Sequence, residues 1–248
     1  MRLDGKVIAI TGGAGGLGAA IARGLKDEGA TIVVIDVPSA RLDQLAFETQ
    51  AVAVAADVRD EASIISAFAT IKATLGRLDG LVVTAGIQLH GQDGRAEDVP
   101  LDIWNQTIAV NLTGAYLSVK YALPLLTRQD TSSIVLIGSP TGLTMSGAGY
   151  TAYSASKAGM MSLGRTLAAD YASAGLRANV VVPGTIQTPL IDGLLADTST
   201  REALIAGTPL GRLGRPEDLV GITAWLVSDE ASFATGAFFA VDGGLTAR

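Results

Sequence analysis

"KVIAITGGAGGLG", residues 6–18, carries an apolar, β-branched run straight into a cluster of glycines, and the helical stretch "LGAAIARGLKDEG" (17–29) follows at once. The succession of strand, glycine loop and helix decides the fold. Gly13, Gly15 and Gly18 satisfy G-x-G-x-x-G, while Gly12, Gly16 and Gly18 satisfy G-x-x-x-G-x-G. Both registers lead to the same physics. Glycines permit a tight turn and close backbone approach, and a helix N-terminus offers free N–H groups and a positive dipole to a pyrophosphate. A flexible glycine loop is the plain alternative, and the position between strand and helix argues against it.

Outward from this unit, short β-branched runs alternate with longer helical stretches. "TIVVID" (31–36), "AVAVAA" (51–56), "GLVVTA" (80–85), "SIVLIG" (133–138), "RANVVV" (177–182) and "AFFAV" (237–241) read as six further strands after "KVIAIT" (6–11). Most are continuously apolar, as parallel strands covered on both faces are. Helical stretches are "EASIISAFATIKATLG" (61–76), "LDIWNQTIAVNLTGAYLSVKYALPLL" (101–126), "AYSASKAGMMSLGRTLAADYASAG" (152–175) and "RPEDLVGITAWLVSD" (215–229). The pattern predicts an α/β fold, one doubly wound (Rossmann) domain over 1–248 with a seven-stranded parallel sheet flanked by helices on both faces. Ligands then lie beyond the carboxyl ends of the strands.

Composition narrows the function. The chain has 248 residues, 48% apolar and 17% charged, with a net charge of −6. An acidic surface repels phosphate backbones, so no nucleic-acid partner is expected. No apolar run reaches the roughly 18 residues of a membrane span, and no basic amphipathic stretch points to a membrane surface. The start, "MRLDGKVIAITGG", reads as a buried strand rather than a signal peptide, and a cytoplasmic location follows as the expectation. There is no cysteine and one histidine, which excludes thiolate chemistry and cysteine-metal sites and leaves no cluster suggesting a metal. No G-x-S-x-G elbow and no G-x-x-x-x-G-K-[ST] loop occurs, against a hydrolase and a P-loop NTPase.

Asp36 ends the second strand, 18 residues beyond Gly18. A carboxylate there accepts hydrogen bonds from adenosine ribose hydroxyls and repels a 2′-phosphate, which favours NAD over NADP. A solvated aspartate capping the next helix is the bland alternative. In "YSASK" (153–157), Tyr153 and Lys157 stand four apart and share one helical face. A free phenol titrates near ~10, and a neighbouring ammonium is expected to lower that value, so the pair can take a proton from an alcohol or give one to a ketone. Tyr150 lacks such a partner, since Ser154 lies four ahead of it.

With these stand Asp57-Val58 after the third strand, "TAG" (84–86), Asn111 in "VNLTG", Ser139 in "IGSP" and "PGTIQT" (183–188). In order and spacing the chain resembles the short-chain dehydrogenase/reductase family along essentially its whole length. The resemblance implies hydride exchange between nicotinamide and a carbinol or carbonyl carbon. It implies Tyr153 as general acid/base, Lys157 as the group that lowers its pKa and holds the nicotinamide ribose, and Ser139 as the donor to the reacting oxygen. Asn111 would hold a relay water in the long helix after the fourth strand. Gly12, Gly16 and Gly18 would line the pyrophosphate, Asp36 the ribose, Asp57 and Val58 the adenine, and Ile186 and Thr188 the carboxamide. Leu17, Ala85, Gly86, Pro183 and Gly184 would complete the cofactor wall.

The chain departs from the family pattern in three places. Val83-Thr84-Ala85-Gly86 stands where Asn-Asn-Ala-Gly is usual, Ser139 lies 14 residues before Tyr153, one more than usual, and Pro140 follows it. Substrate is expected to meet segments 87–100, 140–150 and 186–210, with His90, Thr141, Gln187 and Gln88 as polar candidates. His90 can hydrogen-bond a hydroxyl or be a surface loop residue. These polar side chains lean towards a sugar, polyol or secondary alcohol. "SGAG" (146–149) reads as a flexible wall, and about 186–210 reads as a lid or a fixed surface insertion. An apolar edge strand at 237–241 and an Ala/Met/Leu-rich helix from Ala152 suggest a homo-oligomer, and the resemblance implies a homotetramer. The alternatives are a 3-oxoacyl-type or other ketone reductase, and a noncatalytic NAD-binding regulator.

Overall fold

The computed structural model describes residues 1–144 and 148–247, so Ser146 and Gly147 of the expected flexible wall lie outside the described residues. Seven strands form one sheet: β1 (Val7–Thr11), β2 (Thr31–Asp36), β3 (Val52–Ala55), β4 (Gly80–Val83), β5 (Ser132–Ile137), β6 (Leu176–Pro183) and β7 (Phe238–Val241). Their order is β3-β2-β1-β4-β5-β6-β7. Every adjacent pair is parallel. The chain leaves β1 towards one edge and returns beside it as β4, so the order reverses between those two strands, and a crevice opens there beyond their carboxyl ends.

Alternation along each strand divides the core into two layers. On one face Ala9, Val33, Leu81, Leu136 and Val180 pack under helices α3 (Glu61–Leu75), α5 (Gly114–Leu126) and α6 (Thr151–Tyr171). On the other, Ile8, Val34, Val82, Val135 and Val181 meet α1 (Gly16–Asp27), α2 (Ala40–Thr49) and α9 (Val220–Val227). Such two-sided burial is what the unbroken apolar runs require.

Two elements differ from the sequence expectation. Helix α2, missing from the helical stretches picked out above, is started by Ser39, whose hydroxyl accepts from Leu42 N at 3.3 Å. The stretch 101–126 is not one regular helix: α4 (Leu101–Ile108) passes into a π-helical turn, Ala109–Thr113, and then into α5. A π turn inserts one residue into the i→i−4 ladder and recurs at functional sites. Asn111 sits inside it, fully buried.

β7 lies at the sheet edge and is half-buried, with the Arg165 guanidinium 4.4 Å from the Phe238 ring centroid. Between β6 and β7 the chain forms the short helices α7 (Asp192–Leu195) and α8 (Thr198–Ala206). Among the described residues no helix is long and apolar enough to cross a membrane.

Candidate active site

Tight contact between two loops builds the crevice. Gly12 has φ +67°, and a Cβ there would lie 2.6 Å from the Ala85 backbone, so the turn after β1 can abut the turn after β4 only as glycine. Thr84 fastens the two: its hydroxyl donates to Thr11 O at 2.6 Å, and its N–H donates to the same oxygen at 3.1 Å. Thr84 thereby supplies the support left open by the departure from Asn-Asn-Ala-Gly.

The result is a cleft of about 940 Å³ running from Asp36 past the glycine loop to Tyr153. Helix α1 opens on this cleft from Gly15 with no side-chain cap and no acidic residue in its first turn. Its first N–H groups lack intrahelical acceptors and carry a positive dipole end, which fits a pyrophosphate. Pro189 and Thr188 close over the loop, since a Cβ on Gly16 would come within 2.8 Å of Pro189 Cδ. Asp36 also borders the cleft; its carboxylate accepts from Ala14 N at 2.9 Å and Val37 N at 2.8 Å and has lone pairs left for ribose hydroxyls. Asp57 is paired with Arg59, Nη2 to Oδ2 at 2.6 Å, and this bond holds its carboxyl below the usual range despite partial burial. The residues present fit a dinucleotide.

At the far end, Tyr153 and Lys157 share a face of α6, with Nζ 5.7 Å from the Tyr153 ring centroid. Ser139, two residues beyond β5, borders the cleft together with Tyr153, and its hydroxyl favours the ionised phenol. Its Oγ also lies 3.1 Å from Thr141 Oγ1 and accepts from Thr141 N at 3.3 Å, in the short 3₁₀ turn Pro140–Gly142. The extra residue before Tyr153 therefore leaves Ser139 bordering the same cleft.

The expected easing of the phenol is not what the structure shows. Tyr153 keeps part of its surface open to the cleft, yet burial pushes its hydroxyl up to about 12, with the Ser139 hydroxyl acting the other way. Burial also pushes Lys157 down to about 8. Its ammonium donates to Ile137 O at 2.8 Å. Desolvation disfavours the charged form of each group.

Asn111 does not border the cleft; it stands behind it. Its Oδ1 accepts from Ile87 N at 2.8 Å, and its Nδ2 donates to Ile87 O at 2.9 Å and Ser156 Oγ at 3.1 Å. Ser156 in turn donates to Tyr153 O at 2.7 Å. Both side-chain donors are committed, so Asn111 joins the loop after β4 to the Tyr153 helix. The water-holding role implied by the resemblance does not rest on its side-chain N–H groups.

Asp93 has no sequence signal and makes the same join. It is 8% exposed, and its carboxylate accepts from Ala152 N at 3.1 Å and Tyr153 N at 2.9 Å. The N-cap residue of α6, Tyr150, makes no side-chain cap, so a carboxylate some 60 positions upstream caps the helix instead. Replacing Asp93 with alanine strands two buried N–H groups, with an expected cost of about 2 kcal/mol and a fall in turnover of about tenfold or more. Thermal unfolding and initial rates check this, and Asp93→Asn, which keeps an acceptor for only one of the two N–H groups, should recover only part of both.

Comparison with known proteins agrees with this geometry. A family model described as Enoyl-(Acyl carrier protein) reductase matches residues 12–246. The chain is 40% identical to 2-(S)-hydroxypropyl-CoM dehydrogenase 3 of Xanthobacter autotrophicus, across 99% of this chain and 98% of that protein. The chain belongs to the short-chain dehydrogenase/reductase family. This short-chain dehydrogenase/reductase is also 40% identical to cis-4-hydroxycyclohexanecarboxylate dehydrogenase of Sinomonas cyclohexanicum, across 98% of this chain and 97% of that one. A gluconate 5-dehydrogenase from Burkholderia cenocepacia J2315, solved with NADP and tartrate, superposes with a TM-score of 0.94 at 30% identity, covering 100% of this chain and 97% of that chain.

Of the residues picked out from the sequence of this short-chain dehydrogenase/reductase, all the cofactor-binding candidates border the cleft, as do Ser139, Gln88, His90 and Thr141. Gln187 does not. The bridge between Ile186 and Gly214 extends the chain there, turning Ile186 inward and leaving Gln187 exposed. Tyr150, set aside in the sequence, also borders the cleft, its hydroxyl 3.2 Å from His90 Nδ1.

Proposed function

We propose that this short-chain dehydrogenase/reductase transfers a hydride between NAD and a small hydroxylated substrate (a sugar, polyol or secondary alcohol) or the matching ketone. The observation that carries the reading is the convergence of Ser139, Tyr153 and Lys157 at one end of a cleft whose other end is Asp36 and an uncapped helix N-terminus. Bound NAD supplies the two-electron acceptor or donor. The protein supplies orientation and one proton. In oxidation the Tyr153 oxygen would take the carbinol O–H proton while the carbinol carbon gave up its hydride, which bound NAD would accept. In reduction Tyr153 returns that proton to the carbonyl oxygen. Ser139 donates towards the same oxygen, where charge develops. Lys157 holds the ribose hydroxyls, and segment 186–210 closes over the substrate. The chain acts as one nucleotide-binding and catalytic domain, in a homotetramer whose contacts use the open edge of β7 and the exposed Phe233 beside it.

A 35% identical relative, the 3-oxoacyl-[acyl-carrier-protein] reductase of Thermotoga maritima, matched across 99% of this chain, favours a second reading, a ketone reductase of 3-oxoacyl type. Rates with paired alcohols and ketones at saturating cofactor separate the two.

The choice of NAD rests on Asp36, against which Arg41 also borders the cleft. A 2′-phosphate beside Asp36 meets a like charge at close range. The expected kcat/KM ratio of NAD to NADP exceeds about tenfold, and Asp36→Ala should lower it by a similar factor. Initial rates at limiting cofactor measure both, and a wild-type preference for NADP would overturn the assignment.

A further inference from the structure

We propose, building on the hydride-transfer reading, that the substrate is an uncharged secondary alcohol or ketone with a mainly hydrocarbon body, rather than an organic acid, a phosphate ester or a sugar.

The distribution of charge in the cleft carries the argument. Asp36, Arg41, Asp57 and Arg59 all border it, and all follow β2 or β3, at the end remote from Tyr153. Near Tyr153 the bordering cation is Lys157, and it is already bonded to Ile137 O. Apart from Lys157, the side chains that border the cleft from the segments after β4, β5 and β6 are uncharged. Even Met145, Ser146 and Gly147, outside the described residues, bring no charge by sequence. Of the nearby charged groups that do not border the cleft, Asp93 holds the start of α6, Arg95 pairs with Glu97, Arg212 pairs with Asp218, and Arg201 is exposed.

An anion entering this end would lose hydration and gain no counter-ion. His90 cannot serve as one near neutral pH, since burial lowers its pKa from 6.5 and the Leu190 carbonyl offsets this only in part. Its Nδ1 faces the Tyr150 hydroxyl, and its Nε2 is buried without a well-formed hydrogen bond. His90 and Tyr150 thus make a neutral polar corner able to meet one further oxygen or nitrogen.

The facing wall is aliphatic. Leu190, Ile191, Leu194 and Leu204 border the cleft from the segment containing α7 and α8, and Leu245 joins them from beyond β7. Against five such side chains, the extra hydroxyls of a polyol would be stripped of water without replacement partners. An alicyclic or branched aliphatic body buries its surface there instead.

The test compares 4-methylcyclohexanol, 4-hydroxycyclohexanecarboxylate and glucitol at saturating NAD. The first two differ by methyl against carboxylate at similar shape. We expect kcat/KM for the methyl compound to exceed that for the carboxylate by about 100-fold, and that for glucitol by tenfold or more. Leu194→Arg should raise the carboxylate-to-methyl ratio at least tenfold. Equal or greater activity on the carboxylate or on glucitol would overturn the proposal while leaving hydride transfer intact. A binding measurement covers slow turnover: calorimetry on Tyr153→Phe with NADH should show 4-methylcyclohexanone binding more tightly than 4-oxocyclohexanecarboxylate, and the reverse order overturns the proposal. Absence of any redox change across a broad panel of alcohols and ketones would instead overturn the hydride-transfer reading.

Discussion

Tyr153→Phe is expected to lower turnover by about 10²–10⁴-fold while NAD affinity stays within a few-fold of wild type. In the proposed mechanism the phenol carries the proton in both directions, whereas the glycine loop and Asp36 lie at the other end of the cleft. A phenylalanine ring keeps the volume and removes only the O–H. With its hydroxyl pushed up to about 12, Tyr153 is protonated throughout the neutral range. It is therefore ready as an acid for ketone reduction and short of its basic form for alcohol oxidation. Wild-type oxidation should rise with pH from 7 to 10 while reduction does not, and the variant should lose this slope. Steady-state rates with cofactor titration by fluorescence check all three statements. Near-normal rates in the variant would remove Tyr153 from the mechanism.

The second large effect sets stability against function. Lys157→Met should abolish measurable turnover yet raise the melting temperature of the protein without added cofactor. Lys157 is 5% exposed, and burial lowers its pKa from 10.5 to about 8. The folded protein holds this proton less firmly than the unfolded chain does. The penalty is therefore complete below about pH 8 and fades as pH rises towards 10.5. Over that span it amounts to about 3 kcal/mol near neutrality, of which losing the bond to Ile137 O returns about 1 kcal/mol. A net gain of about 2 kcal/mol corresponds to roughly 4–8 °C for a chain of this size. Calorimetric scans at pH 7 and at pH 10.5 test the sign, since the advantage of methionine should shrink at the higher value. A lower melting temperature at pH 7 would show that the ammonium is well compensated in place.

Most of the architecture was legible because two-sided burial leaves its mark in composition. β1, β2, β5 and β6 are nearly unbroken apolar runs, and glycine turns mark where strands hand over to helices. The cleft residues were legible for the same topological reason, since each follows the carboxyl end of a strand. What escaped were features settled by three-dimensional contact. Helix α2 has a weak apolar pattern, burying Leu42 and Leu45 while Phe47 is 86% exposed. The π turn has no local composition that separates it from a continuous helix. Asp93 and Tyr150 become significant only when the loop after β4 folds onto the start of α6. Gln187 pointed the wrong way because a single extended residue reverses its side chain. The titration of Tyr153 was misjudged because spacing reports a neighbour's charge and says nothing of the density around both groups.

The π turn at Ala109–Thr113 has a consequence for how this enzyme can change. Each residue advances a helix by about 100°, so one surplus residue offsets the halves on either side by more than a quarter revolution. Gln106 and Val110 thereby look into the cleft, while Leu117, Ala122 and Leu125 look into the core beneath the sheet. The two rows are mechanically out of step, so the substrate-facing row can drift to new chemistry without disturbing the foundation it stands on. Deleting one residue between them would bring the rows back into phase and swing the Asn111 amide away from Ile87.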